Sequence, residues 1–242
     1  MRETGGITVA ELEEEFGVSP ATARRDLMLL EGQGRVRRTH GGAVLPGFVQ
    51  HEDSFQQRLG EAVEAKKRLA RAASELLGAD ETVFADSSTT AHYAVQRLLA
   101  GASNFTCLTN LVPTMELFST ADPSGTRMMG IGGIFRPLTL SFVGPCAVRM
   151  IESYLADRVF LSVKGITPRG QLTEPNPLEA EVKRAMIRQS EKPVLLVDGR
   201  KFRQRGESVI SHVSEVSLVM TADARASDVE MLTDLGVAVQ PV

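Results

Sequence analysis

From Ala62 to Val242 short apolar runs alternate with amphipathic stretches, and no other feature of the chain restricts its fold as much. TVFAD, FTCLTN, TRMMGIGG, DRVFLSVKG, PVLLVD and VSLVMTA are apolar along their length and bounded by turn residues. They are too short for helices and too uniformly apolar for strands with one wet face. AVEAKKRLARAASELLG comes before them, with Leu69, Ala72, Ala73, Leu76 and Leu77 on one stripe. Between them come TTAHYAVQRLLAG, LVPTMELFS, CAVRMIESYL, NPLEAEVKRAMIRQS and ASDVEMLTDLG, and VAVQPV closes the chain. Apolar strands separated by amphipathic helices predict a mostly parallel sheet with helices on both faces.

Sheets of this kind bind ligands outside the carboxyl ends of their strands. Here those ends are all polar. They read Asp86-Ser87-Ser88-Thr89-Thr90, then Thr109-Asn110, Gly132-Gly133, Lys164-Gly165 and Asp198-Gly199-Arg200-Lys201. Any one of them is ordinary loop composition. All of them at equivalent places predict one polar crevice. The stretch from Asp86 to Thr90 runs into a helix, whose first-turn N–H groups and dipole suit a phosphate.

The segment GVSPATARRDLMLLEGQGRVRRTHGGAV, Gly17 to Val44, carries Arg24, Arg25, Arg35, Arg37, Arg38 and His40 in a chain of formal net charge -3. Ser19 is placed to cap a helix that has Pro20 at its first position and is stopped by Gly32 and Gly34. At helical spacing Ala23, Leu27 and Leu30 share one stripe. Ala21, Arg25 and Met28 face away from it, flanked by Thr22 and Arg24. A shorter helix precedes, with Thr8 and Glu11 spaced as a capping box and Leu12 and Phe16 as an apolar pair. Gly17-Val18-Ser19 makes the tight turn, and GRVRRTHGGAV alternates like a hairpin that turns at Gly41-Gly42. An isolated basic helix face is ordinarily just solvated. A capped helix, glycine turn, second helix and basic hairpin in this order predict double-stranded DNA binding by a helix-turn-helix with a wing.

No apolar run reaches the roughly 20 residues of a membrane helix, and the N-terminus has no signal-like apolar stretch. Cys107 and Cys146 sit in apolar surroundings and are expected as buried free thiols of a cytoplasmic protein. His40, His51, His92 and His212 are scattered without metal-ligand spacing. There is no Walker A sequence, and GIGGIF is not a dinucleotide fingerprint. Neither a metal nor a cofactor is expected.

VAELEEEFGVSPATARRDL and EGQGRVRRTHGGAV resemble the DeoR family of bacterial transcriptional repressors, most specifically in Arg24-Arg25-Asp26-Leu27 and Gly41-Gly42. The resemblance implies a winged helix-turn-helix in which Thr22, Arg24 and Arg25 contact the operator, with Arg35, Arg37, Arg38 and His40 on phosphates. The family pattern has a further helix before Thr8, where only seven residues stand. A shortened DNA-binding domain, loosened around Leu12, Phe16 and Leu27, is therefore expected. The larger region resembles the family's sensor domain through LTN at 108–110, Gly132-Gly133 with Arg136, LTEPNPLEAEVKRAMI and VDGRKF. That resemblance implies a ribose-5-phosphate isomerase-like fold and a phosphorylated sugar effector. The expected effector residues are Asp86, Ser87, Ser88, Thr89, Thr90, Asn110, Gly132, Gly133, Arg136, Lys164, Glu179 and Lys201. Ser88 stands where the family usually has glycine, and Lys164 where many relatives have a small residue.

The same fold hosts sugar-phosphate isomerases, which need a carboxylate base and a cation to steady an enediolate. Asp86, Glu179 and Asp198, with Lys164, Lys183 and Lys201, are the candidates. Glu179 and Lys183, spaced i, i+4, also read as an exposed helix pair. The attached DNA-binding segment favours a regulator over an enzyme. The expected division is residues 1–47 for the DNA-binding domain, 48–61 for a linker and 62–242 for the sensor. A homo-oligomer is expected because operators are usually repeated sites.

Overall fold

The computed structural model describes residues 6–39, 42–44, 52–101, 104–120 and 125–242, in two compact units, Met1–His51 and Glu52–Val242. Strand β1 (Gly6–Thr8) opens the first unit and leads into helix α1 (Val9–Phe16). The Thr8 side chain accepts from the Glu11 backbone and the Glu11 carboxylate from the Thr8 backbone, so the capping box is formed. Gly17 ends α1 at φ 64°, a left-handed conformation that only glycine takes without strain. Ser19 caps helix α2 (Pro20–Gly32) by accepting from the Thr22 amide. Strands β2 (Arg37–Thr39) and β3 (Gly42–Val44) form the wing, and β3 lies between β2 and β1. Gly42 is needed there, because a Cβ would sit 2.1 Å from the Ile7 carbonyl oxygen. Leu27, Val36 and Ala43 make the small core. Leu27, expected to lose its packing partner, is therefore buried, while Phe16 is 63% exposed.

The second unit starts at Glu52, ten residues before the boundary expected from sequence. Residues 52–61, read as linker, belong to it. Ser54 and Gln57 form a capping box around helix α3 (Phe55–Leu59), and the Phe55 ring is buried. Helix α4 (Val63–Ser74), strand β4 (Thr82–Ala85), helix α5 (Thr89–Leu99), strand β5 (Thr106–Thr109), helix α6 (Val112–Leu117) and strand β6 (Arg127–Gly130) follow. A hairpin of β7 (Ile134–Arg136) and β8 (Ser141–Val143) comes next, then helix α7 (Pro145–Glu152) and strand β9 (Ala156–Leu161). Strands β10 (Gly165–Ile166) and β11 (Gln171–Glu174) precede helix α8 (Pro177–Arg188) and strand β12 (Ser190–Asp198). A turn of 3-10 helix at Gly199–Arg203 leads to β13 (Ser208–His212), β14 (Leu218–Ala222), helix α9 (Ala226–Asp234) and β15 (Val239–Pro241).

Seven strands form one sheet in the order β15-β14-β12-β9-β4-β5-β6, and every neighbouring pair is parallel. Alternation along each strand sends side chains to opposite faces, and in the central strands both faces are buried, whereas the edge strands β6 and β15 are largely exposed. Phe84, Val159, Leu161, Leu195 and Val197 pack on the side of α7 and α8, while Val83, Ala85, Phe160, Val194 and Leu196 pack on the side of α4 and α5. Strands β10, β11 and β13 form a separate antiparallel sheet, which, like the β7–β8 hairpin, sequence periodicity did not predict. Cys107 is buried as expected. Cys146, at the exposed start of α7, is not.

The topology fixes where a ligand site can form. From β4 the chain proceeds to β5 and β6 on one side, and from β9 to β12, β14 and β15 on the other. Helices therefore diverge from the β4/β9 junction, leaving a crevice beyond the carboxyl ends of those two strands.

Candidate functional site

The crevice at that junction is lined from the β4 tip by Ser88, Thr89 and Thr90, from the β9 tip by Ser162, Val163 and Lys164, and from the β12 tip by Arg200 and Lys201. Glu52, Asp53 and Arg58 of the entering segment, Glu61, Lys66 and Glu174 complete it. Ser88 caps α5, its hydroxyl accepting from the Ala91 amide at 3.1 Å. The first-turn N–H groups of Thr89 and Thr90 have no acceptor within the helix, as at any helix start.

Arg58, Lys66, Lys164, Arg200 and Lys201 share this wall with Glu52, Asp53, Glu61 and Glu174, and not every cation finds a partner among them. Among the described residues, Nε and Nη2 of Arg58 are buried and meet no hydrogen-bond acceptor, and the buried Ser162 hydroxyl is also unpartnered. Asn110 Oδ1 and Thr221 Oγ1 are unpartnered too, away from the crevice; buried polar groups are nearly always satisfied, and on the crevice wall the orphans stand where a ligand has access to them. Burial pushes the Lys201 ammonium down to about 8 despite Asp198 and Glu174 nearby. Burial, followed by Lys201 and Arg200, takes Lys66 down to about 8 as well. Crowded, desolvated cations favour an anion. Arg200 is already occupied, by Asp198 at 2.8 Å and Glu61 at 2.9 Å.

Five of the residues expected in a ligand site, Ser88, Thr89, Thr90, Lys164 and Lys201, are brought together along this wall. The other seven are placed elsewhere. Asp86 is fully buried behind the tip. It accepts from the amides of Ser88 and Ser162 and pairs with Lys183 at 2.5 Å. Ser87 donates to Glu179, and Glu179 also accepts from Thr139, Ser141 and Arg136. Burial works against the Glu179 charge, yet those hydroxyls and Lys183 hold its carboxyl below the ordinary range. Arg136 grips Glu52 in a two-pronged pair at 2.5 and 2.9 Å. The Asn110 amide donates to the Phe142 carbonyl at the base of the hairpin, and Gly132 and Gly133 lie exposed before β7.

Glu179 and Lys183 are not an exposed pair on α8. Both are buried, each bound to other elements. Asp86 and Glu174 hold Lys183 charged and raise it above the ordinary lysine range against the pull of burial. Glu174 itself is raised by burial. Sequence periodicity missed Arg58, Lys66, Ser162 and Glu174. The Ser54-x-x-Gln57 capping box before Arg58 was the available signal for α3.

On the first unit, Thr22, Arg24 and Arg25 are exposed on α2, and Arg35 and Arg38 are exposed at and before the wing. The Thr22 hydroxyl is 2.9 Å from that of Ser19, within the helix cap. Arg37 belongs to β2, and His40 lies outside the described residues.

A profile of the DeoR C-terminal sensor domain matches residues 61–223, and one of the DeoR-like helix-turn-helix domain matches residues 1–47. The chain belongs to the DeoR family. The HTH-type regulator YulB of Bacillus subtilis (strain 168) is 33% identical to it over 216 residues, 89% of this chain and 82% of that protein. The glycerol-3-phosphate regulon repressor of Escherichia coli K12 is 32% identical over 235 residues, 97% of this chain and 92% of that one. Among solved structures, ribose 5 phosphate isomerase A of Neisseria gonorrhoeae has a TM-score of 0.42 and 14% identity, covering 57% of this chain and 53% of its own. This DeoR-family member is thus a DNA-binding transcriptional regulator with a sensor domain on a seven-stranded parallel sheet.

Proposed function

We propose that this regulator represses genes of sugar or polyol catabolism and leaves its operator when a phosphorylated sugar or polyol enters the crevice. The observation that carries the reading is the orphaned Arg58 guanidinium and Ser162 hydroxyl beside Lys66 and Lys201. A phosphoryl group supplies acceptors for the guanidinium, the Lys66 and Lys201 ammonium groups and the first-turn amides of Thr89 and Thr90, with Lys164, paired with Asp53, a further donor on the same wall. Glu174, also on the crevice wall, suits an effector hydroxyl as an acceptor. The E. coli relative's name supplies glycerol 3-phosphate as the first compound to try.

Thr22, Arg24 and Arg25 enter the major groove in this reading, and Arg35, Arg37, Arg38 and His40 neutralise backbone phosphates. The protein acts in the cytoplasm as a homo-oligomer, each copy taking one half of a repeated operator. In this reading it does not catalyse isomerisation: Asp86 and Glu179 are saturated by hydrogen bonds and cations, Asp198 is held by Arg200 and Glu174 by Lys183, so none of these carboxylates is free of a partner to take a proton from carbon.

Thermal denaturation of the full chain with glycerol 3-phosphate, pentose phosphates, hexose phosphates and their unphosphorylated parents tests this reading. A phosphorylated compound is expected to raise Tm and, at the same concentration, to release a DNA fragment from the regulator's own promoter. Equal effects from the unphosphorylated parents, or turnover of a sugar phosphate at enzyme rates, overturn it.

A further inference from the structure

The segment that enters the second unit places two carboxylates where the crevice has cations. Asp53 meets the Lys164 Nζ at 3.0 Å, and Glu52 takes both prongs of Arg136. Both acidic residues line the crevice, and both pairs are largely shielded from solvent. The next anchor along the chain is Phe55. Its ring is buried edge-on against His92, and its amide donates to the Leu138 carbonyl at 2.9 Å. One turn later the Arg58 carbonyl accepts from Lys66 and from the Thr89 hydroxyl. The two acidic residues therefore precede a fixed point on a helix held by two residues of the crevice wall.

We infer that Glu52 and Asp53 are a built-in occupant of the crevice, and that an entering anion takes Lys164 from Asp53 and drives this acidic arm out about the Phe55 anchor. The inference rests on the anion reading above and adds how the site is regulated. Two anions cannot share one ammonium group in a partly desolvated crevice at no cost, and a phosphoryl group brings up to two negative charges against Asp53's one. Among the described residues, Lys164 is the ion-pair partner of Asp53, so losing it leaves that carboxylate facing the anion alone. Glu52 follows because it is the adjacent residue. Arg136 keeps Glu179 at 2.9 Å after Glu52 leaves, so no buried guanidinium is stranded. The arm that leaves is the stretch through which the chain passes from one unit to the other. Its attachment is thus set in direct competition with the effector.

The test uses the full-length protein and inorganic phosphate as the probe. Asp53→Asn is expected to bind phosphate roughly tenfold more tightly than wild type, because a competing charge-assisted bond is gone. Adding Lys164→Met to it is expected to cancel the gain. Glu52→Gln gives a second route if Asp53→Asn does not fold, with a smaller gain expected. In wild type, saturating phosphate is expected to speed hydrogen exchange of the Ser54 amide, now bonded to Gln57, while leaving that of the Phe55 anchor unchanged and slowing exchange at Thr89 and Thr90. Phosphate that binds wild type without speeding exchange at Ser54, or that binds the charge-neutral variants no more tightly, overturns the displacement and leaves the anion reading standing. Absence of phosphate and sugar-phosphate binding altogether overturns both.

Discussion

Lys183 Nζ lies 2.5 Å from Asp86 and 3.0 Å from Glu174, with only 3% of the Lys183 side chain and none of the Asp86 side chain exposed. The same ammonium donates to the Ser162 carbonyl, and Asp86 accepts from the Ser88 and Ser162 amides. One buried pair thus ties α8 to the tips of β4 and β9, the two strands whose divergence opens the crevice. Asp86 shapes the walls and is not itself on them.

Asp86→Asn is therefore expected to cost stability first. Removing one member of a buried ion pair typically costs about 3–5 kcal/mol, because the other charge stays buried. At about 2–4 °C per kcal/mol for a domain of this size, Tm falls by roughly 6–20 °C. Lys183→Met on its own carries a similar penalty, and the two changes together cost less than their sum. A variant that melts like wild type yet loses all response to sugar phosphates contradicts this structural role.

Much of this architecture was legible in the sequence, for reasons that differ by element. The parallel sheet was readable because strands buried on both faces are continuously apolar, as in PVLLVD, and their helices are not. Helices α1 and α2 were readable because Thr8, Glu11, Ser19 and Pro20 are local signals whose partners lie within a turn. The i, i+4 pair of Glu179 and Lys183 looks the same on a wet helix as on a buried one. What buries it is remote in sequence: Asp86 and Ser87 from the β4 tip, Thr139 and Ser141 from the hairpin. Arg58 was hidden for another reason. The Pro, Gly and polar content before it reads as a boundary, and only its packing shows α3 to be part of the wall.

Anion binding is expected to weaken as pH passes about 8, since Lys201 and Lys66 lose their protons there. Sulfate makes the cleaner probe because its own charge is constant over this range. Between pH 7 and 9.5 its affinity is expected to fall about tenfold or more, given roughly 1.5–3 kcal/mol for a charge-assisted bond. Stability without ligand moves the other way. The folded values lie below the ordinary 10.5, so between about 8 and 10.5 the unfolded chain holds more protons and stability rises with pH. Lys201→Arg keeps its charge throughout and is expected to flatten the affinity profile. Isothermal titration across the range, in wild type and variant, reads the affinity, and denaturation without ligand over the same range reads the stability.

Arg25→Ala is expected to weaken operator binding while leaving stability within about 0.5 kcal/mol of wild type, as for most exposed positions. If Arg25 contacts a phosphate, the slope of log affinity against log salt falls by about one and the loss is the same on all sequences. If it reads a base, the loss is about 1–3 kcal/mol and specificity relaxes at one operator position. Unchanged affinity at every salt concentration removes this arginine from the DNA contact.

Arg58→Met separates the demands of folding from those of ligand capture. In the unliganded protein the guanidinium buries Nε and Nη2 with no acceptor among the described residues, a situation that costs about 1–3 kcal/mol. Methionine keeps the apolar stem and has no such donors, so the variant is expected to melt at or above the wild-type temperature in the absence of anions. The same change removes a fork of donors that matches a phosphoryl group. Phosphate at about one hundred times its Kd stabilises wild type by about 2.7 kcal/mol, and most of that gain is expected to vanish in the variant. Melting curves with and without phosphate measure both effects. A variant that loses stability without ligand and keeps the full phosphate shift makes Arg58 a packing residue and takes the anion away from it.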